Sequence, residues 1–343
     1  MALPKGVDNF HDTGISLHAQ QTVLVDNIPS TQDKIDKKAQ ELCDTYIEFV
    51  LQGQKNIKNN KARYRRAVQQ ELPGAPMTPG HTWHCIYGQY TQLNRALKSL
   101  GDTITLIPYD GRNACPAFRT EMQKKYSGTE YAGALHSGKM FKSDNDYNRA
   151  MNAYLKYNHI NDSTPDDKRN AVIARFEKNN FKASDLHPGT IIIVQHNNAS
   201  SNTHAIMFLG RGRVENGEFI EDKNGKFIYA GYNNESVGDI FTTYNTNRIF
   251  AADIYNIASV SYAKELQNVK NMTNQELFQF IYDTPGNMCY IAPERKKLQE
   301  LAETKYFDKQ NFVPQIPTPM VYTASVPVFP VYNIIANRRK FSK

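Results

Sequence analysis

The stretch "HPGTIIIVQHNNASSNTHAIMFLG", His187 to Gly210, decides the fold because it carries two strand-like runs joined by a polar segment. Short runs of β-branched and apolar residues favour strands, and the Asn- and Ser-rich segment between them is typical of a loop. The runs "KFIYAGY" (226–232) and "RIFAADIYNI" (248–257) repeat this texture downstream. We therefore expect these four runs to form a sheet.

Upstream of the strands, apolar residues recur at helical spacing instead. Ser30 and Asp33 form a capping-box pattern, and the stripe that follows is Ile35, Ala39, Leu42, Tyr46 and Val50. We expect further helices near 113–126, 144–157 and 166–178. Helices followed by strands favour an α+β fold with an antiparallel sheet.

Downstream of the strands the chain becomes helical again. In "TNQELFQFIY" a second capping box pairs Thr273 with Glu276, and another helix is expected near Pro293. Five prolines between 311 and 332 favour an extended tail that wraps the body. The expected organisation is a polar arm (1–29), a main domain (30–264), and C-terminal helices with a Pro-rich tail that pack on it (265–343).

Composition and charge exclude several classes of protein. The chain has 343 residues, of which 40% are hydrophobic and 22% charged, and it has no apolar run that would span a membrane. Its first residues lack the pattern of a classical signal peptide, so we expect synthesis in the cytoplasm. The net charge of +7 includes a basic stretch from Gln54 to Arg66. Without a supporting motif we expect this stretch to be a solvated face and not a nucleic-acid site.

Cys85 is the first candidate for chemistry. It begins a run whose apolar stripe is Ile86, Tyr90, Leu93, Leu97 and Leu100, and Gly101 is a natural helix stop. A cysteine at a helix N-terminus gains thiolate character from unpaired N–H groups and the positive end of the helix dipole. The four cysteines lie far apart in sequence, so we expect free thiols. Cys43, beside an apolar stripe, is expected to be a buried small side chain.

A nucleophilic thiol needs a base and a group that orients the base. His204 opens an apolar strand directly after a polar loop, and alternation places Ile206 and Phe208 on its face. We expect the cysteine helix to pack near this histidine. Asn233, in "YAGYNNES", is the candidate orienting residue, because its carbonyl can accept the imidazole N–H; Asn234 is the alternative.

Two rival sites remain open. Cys115 also precedes an expected helix, with Pro116 suited to the first turn, so it is a second candidate nucleophile. The residues His81, His84 and Cys85 cluster in sequence, with His196 and His204 downstream, and could bind a metal, although no HExxH or paired-cysteine motif supports this. We expect no metal and no cofactor.

Three segments together resemble a family. "HCIYGQYTQLNRALKSLG" (84–101), "LHPGTIIIVQHNN" (186–198) and "THAIMFLGRGR" (203–213) are similar to the NlpC/P60 and CHAP group of papain-like cysteine hydrolases. The resemblance covers about residues 80 to 260 and implies a small antiparallel sheet with the cysteine helix packed on it. It implies hydrolysis of an amide or peptide bond, often in bacterial peptidoglycan, with Cys85 and His204 at the matching positions.

The sequence departs from this family pattern in four places, one of which is the Gly-Tyr-Asn context of the third polar residue, which matches the pattern loosely. Thr190 stands where the family has Asp, and Pro79 and Gly80 stand where papain has an oxyanion-stabilising glutamine. The gap of 119 residues between Cys85 and His204 (204 minus 85) exceeds that of a minimal domain, which predicts a helical insertion over about 113–180.

The resemblance leaves the biological setting open. A wall hydrolase without a signal peptide would reach the periplasm through a specialised secretion system or through lysis, as an antibacterial effector or a phage lysis enzyme, and could have an immunity or delivery protein as partner. The alternatives are a papain-like protease that acts on proteins, and a non-catalytic binding protein of a phage or secretion apparatus.

Overall fold

The structure is a computed structural model that describes residues 30–59, 64–72, 85–108, 115–195, 203–232, 237–243, 245–283 and 294–307. Over these ranges the chain is α+β, as predicted. None of the helices in this part of the chain combines the length and apolar character that a membrane span requires. The arm (1–29), Cys289 and the Pro-rich tail lie outside the described residues.

The helices and strands follow one another along the chain in mixed order. The helices are α1 (Thr31–Asn59), α2 (Tyr64–Glu71), α3 (Cys85–Ser99), α4 (Cys115–Tyr126), α5 (Asp144–Tyr157), α6 (Asp166–Glu177), α7 (Ile240–Thr243), α8 (Ile254–Asn271), α9 (Asn274–Tyr282) and α10 (Arg295–Phe307). The strands are β1 (Leu135–Phe141), β2 (Asn180–Lys182), β3 (Ile191–Gln195), β4 (Thr203–Glu215), β5 (Glu218–Glu221), β6 (Lys226–Gly231), β7 (Gly238–Asp239) and β8 (Asn245–Ala252).

The eight strands form one open sheet in the order β2-β1-β8-β3-β4-β6-β7, and β5 pairs with β4 as a hairpin. β1 and β2 are parallel, and the remaining pairs are antiparallel. The sheet is therefore mixed, and the prediction of an antiparallel sheet was wrong at this edge. The four strand-like runs of the sequence form β3, β4, β6 and β8. Three of these strands, β8, β3 and β4, lie at the centre of the sheet.

The two faces of the sheet pack into separate cores because side chains alternate along each strand. Ile191 and Ile193 of β3 lie in the larger core, together with apolar residues of α1, α3 and α8. Ile192 and Val194 lie in a second core on the opposite face, which includes Phe208 of β4. The helix with Cys85 thus belongs to one face of the sheet only.

Segment 113–180 differs from the predicted helical insertion. The expected helices are there, as α4, α5 and α6, but β1 and β2 also lie in this segment or at its end, and β1 lies inside the sheet between β2 and β8. "LHSGKMF" gives little strand signal because Gly138 interrupts it. Gly138 has φ +125°, and a Cβ there would lie 2.0 Å from the Asn179 carbonyl oxygen, so only glycine permits this approach to β2.

The predicted capping boxes are confirmed at the starts of α1 and α9. The Ser30 hydroxyl accepts a hydrogen bond from the Asp33 amide at 3.0 Å, and the Asp33 carboxylate accepts one from the Ser30 amide at 2.9 Å. Thr273 and Glu276 form the same reciprocal box before α9. Gly101 ends α3 with φ +67°, as expected of a helix stop.

The predicted boundary after residue 264 falls within a continuous helix. The run "RIFAADIYNI" was expected to be a strand to Ile257, but the strand ends at Ala252 and α8 begins at Ile254. The Asp253 side chain caps α8 by accepting from the Asn256 amide at 3.1 Å. Because α8 runs on to Asn271, it connects the main core to the C-terminal helices.

Candidate active site

Cys85 is the first residue of α3, and its side chain is buried, with 5% exposure. Its sulfur has three polar neighbours. The Ala205 amide donates to Cys85 Sγ at 3.0 Å, Cys115 Sγ lies 3.2 Å away, and the His204 imidazole lies near enough to lower the pKa of the thiol. The structure thus brings together Cys85 and His204, the two residues that the sequence proposed as nucleophile and base.

Helix α3 packs on the sheet through apolar side chains and one glycine. Ile86 and Leu93 pack in the same core as Ala205 and Met207 of β4. Gly88 lies against the ring of Tyr232, where a Cβ would be 2.7 Å from Tyr232 Cδ2. A larger residue at 88 would push α3 away from the sheet, and Cys85 with it.

His204 reaches Cys85 from the other face of the sheet, contrary to the expectation from alternation. His204 pairs with Val194 in the β3–β4 ladder, and Val194, Ile206 and Phe208 all lie in the second core. Helix α3 instead packs on the face of Ala205. The prediction that the cysteine helix covers the face of His204, Ile206 and Phe208 was therefore wrong, although the contact itself is present.

The Cys85 sulfur can be contacted from both faces of the sheet because it lies beside the end of the hydrogen-bonded ladder between β4 and β6. The last pair between β4 and β6 is Ile206 with Gly231, so the Ala205 amide lies just beyond that ladder. This amide donates to Cys85 Sγ. A sulfur held beside the strand can be contacted by the preceding side chain from the opposite face.

The surroundings of Cys85 hold its pKa well below the usual value of a thiol. The hydrogen bond with Cys115 is the largest cause, and the hydrogen bond and positive charge of His204 and the Ala205 amide act in the same direction. Burial opposes them, because a charged sulfur loses hydration. Cys43 shows the contrast: it is 1% exposed, and burial raises the pKa of its thiol, as expected for an inert core side chain.

Cys115, the rival nucleophile, is part of the same cluster. It is the first residue of α4 and is buried, with 4% exposure. Two helix N-termini therefore bring their first side chains together at the start of β4. Sequence spacing could not predict this, because the two cysteines are 30 residues apart and belong to different helices.

The remaining candidate residues lie outside the described residues. They are the proposed orienting residue Asn233 and its neighbour Asn234, His81, His84, His196, Pro79 and Gly80. In the part of the chain that the structure describes, no group of three His, Cys, Asp or Glu side chains is arranged to hold a metal. Thr190, the departure from the family pattern, is buried and donates to the His187 carbonyl at 2.7 Å.

A second histidine pair was not predicted from the sequence. His187 Nδ1 lies 2.8 Å from Asp253 Oδ2, and its ring stacks on Tyr255 at 4.4 Å. The hydrogen bond that His187 donates to the Asp253 carboxylate raises the pKa of His187, against partial burial. The feature of the sequence that could have revealed this pair is Asp253, at the capping position before α8.

This second pair does not serve Cys85. His187 precedes β3, whereas His204 pairs with Val194 near the other end of that strand. The strand advances about 3.3 Å per residue, so the two histidines lie near opposite ends of β3. We interpret the pair as a structural link between the start of β3 and the cap of α8.

The chain matches no protein-family model, no curated protein and no solved structure.

Proposed function

We propose that the protein is a cysteine hydrolase that cleaves an amide or peptide bond through Cys85 and His204. The observation that carries the proposal is the contact between the Cys85 thiol, at the tip of α3, and the His204 imidazole at the start of β4. A thiol with a lowered pKa beside a histidine is the arrangement that nucleophilic catalysis requires.

The proposed reaction is acyl transfer. His204 takes the proton of Cys85, and the thiolate attacks the carbonyl carbon of the amide. The protonated imidazole then gives its proton to the departing amine, and water hydrolyses the thioester. The backbone N–H of Cys85, at the helix N-terminus, is our candidate for a donor to the oxyanion. Asn233 remains our proposal for the orienting residue.

The proposed substrate class is bacterial cell-wall peptidoglycan. This part rests on the resemblance of the three segments to the NlpC/P60 and CHAP group. In that setting the protein would act in the periplasm after delivery by a specialised secretion system or by lysis. A protein substrate is the alternative, and the same dyad would serve it.

The test is digestion of purified peptidoglycan, and separately of unfolded protein, by wild type, Cys85→Ala and Cys43→Ala. We expect new fragments from peptidoglycan with wild type and Cys43→Ala, and none with Cys85→Ala. Cys43→Ala is the matched control, because it also removes a buried thiol. If wild type cleaves the unfolded protein but not peptidoglycan, the substrate is a polypeptide. If none of the three chains cleaves either substrate, the proposal is contradicted.

The low exposure of the dyad favours a second candidate function, a non-catalytic binding protein with a papain-like shell. Cys85 is 5% exposed and His204 8% exposed. Labelling with iodoacetamide separates the candidates, because the thiolate fraction sets the rate. A hydrolase should be labelled much faster at Cys85 than at Cys43, whereas equal rates would favour the binding protein.

A further inference from the structure

Cys85 and Cys115 form a pair of thiols that the hydrolase reaction does not need. Each is the first residue of its helix, each is buried, and neither is in a disulfide. Their sulfurs lie 3.2 Å apart. A disulfide would require them to close to about 2.05 Å, a movement of roughly 1 Å.

The pair has the chemical asymmetry that reversible oxidation requires. Cys85 accepts a hydrogen bond from the Ala205 amide, which favours a charged sulfur at this position, and its Sγ lies within hydrogen-bond distance of Cys115 Sγ. A thiolate reacts with peroxide, and a second thiol beside it can then capture the oxidised sulfur before further oxidation. Cys115 stands at that position.

We propose that Cys85 and Cys115 are a modification site, at which hydrogen peroxide closes a reversible disulfide. The Cys85 thiolate attacks one oxygen of hydrogen peroxide and the O–O bond breaks, giving Cys85 sulfenic acid and hydroxide, which takes a proton to become water. The Cys115 sulfur then attacks Cys85 Sγ, the S–O bond breaks, and the hydroxyl leaves as water with the Cys115 proton. Two thiols are oxidised by two electrons, and one peroxide is reduced to two waters.

The disulfide has a consequence for the site that rests on the proposed function. With its sulfur bonded to Cys115, Cys85 has no thiolate to attack a carbonyl, so the hydrolase is off until a thiol reductant reopens the bond. Formation of the bond itself does not depend on any hydrolase activity. The two ideas can therefore fail separately.

The experiment treats the full chain with a small molar excess of hydrogen peroxide, blocks remaining thiols with iodoacetamide, and maps the peptides by mass spectrometry. We expect a Cys85 peptide linked to a Cys115 peptide, loss of alkylation at both positions, and recovery of both after dithiothreitol. Cys43 is the internal control, because its thiol is 1% exposed and burial raises its pKa, so it should remain reduced.

The Cys115→Ser variant supplies the second measurement. Without the capturing thiol, Cys85 should accumulate as sulfenic acid that dimedone traps, and then as sulfinic acid that dithiothreitol does not reverse. Equal amounts of sulfinic acid in wild type and Cys115→Ser would overturn the proposal, as would full alkylation of both cysteines after peroxide. If the linked peptides form but reduced wild type cleaves neither peptidoglycan nor protein, the modification site stands and the proposed function fails.

Discussion

At the scale of single residues, the candidate site depends on one sulfur with several polar contacts. The sequence placed Cys85 at a helix tip and His204 at a strand start, and both positions are confirmed. It could not predict Cys115 as the neighbour, because that contact depends on how α4 docks. It also misjudged the face of His204, since alternation says which side chains share a face but not which face a helix covers.

The His187–Asp253 pair predicts a pH-dependent contribution to stability. Because the folded pKa of His187 is raised, its stabilisation is present below the unfolded pKa of about 6.5 and is lost as pH rises through the folded pKa. We expect the difference in free energy of unfolding between wild type and His187→Gln to be larger at pH 6 than at pH 9. Urea titrations at both pH values measure it, and a difference that is the same at both would contradict this account.

Asp253 should matter more for stability than His187, because it is fully buried and has several partners. It accepts from the Asn256 amide and side chain as well as from His187. We expect Asp253→Ala to cost about 2 to 3 kcal/mol of unfolding free energy, from a lost helix cap and unsatisfied buried donors. Asp283→Ala at the exposed end of α9 is a control for loss of a carboxylate, and equal effects would argue against the assigned role.

At the scale of elements, helices were predicted better than strands. The capping boxes at Ser30 and Thr273 and the apolar stripes fixed α1, α3 and α9 from local sequence alone. Strand β1 was missed because its polar run and Gly138 give no alternation, and its place is set by pairing with β8 and β2. The strand predicted to reach Ile257 became a helix after Asp253, since the cap was not recognised.

The packing of α3 makes a specific prediction at Gly88. Alanine favours helix by up to about 1 kcal/mol over glycine, but its Cβ would clash with the Tyr232 ring at 2.7 Å. We expect the clash to win, so that Gly88→Ala destabilises by about 1 to 3 kcal/mol. In a Tyr232→Ala background the same substitution should cost less or stabilise. Urea denaturation of wild type, the two single variants and the double variant gives the coupling free energy between positions 88 and 232. A cost of Gly88→Ala that is the same with and without the Tyr232 ring would contradict the packing account.

At the scale of the whole molecule, α8 joins what the sequence divided into two regions. Leu266 lies in the main core, and Val269, one turn later, lies in a smaller cluster with Leu277 of α9 and Leu298 of α10. Tyr306 of α10 returns to the main core. The boundary expected at residue 264 falls inside α8, because a pattern along the chain does not show which helix connects two regions.

This continuity predicts the outcome of truncation. A chain that ends after residue 264 loses Leu266, Val269 and Tyr306, each at most 3% exposed, at roughly 1.5 to 3 kcal/mol per side chain. We expect it to unfold at a much lower urea concentration than a chain that ends after residue 307. Similar midpoints for the two chains would restore the predicted boundary.

The pH dependence of Cys85 alkylation tests the central claim, a thiolate stabilised beside His204. In wild type the iodoacetamide rate at Cys85 should stay near its maximum at neutral pH, while Cys43 remains unreactive. In His204→Gln the midpoint should move up, and once it lies above neutral pH each further unit lowers the neutral-pH rate about tenfold. Coincident profiles for the two proteins, with the midpoint of an ordinary thiol, would show that His204 does not act on this sulfur.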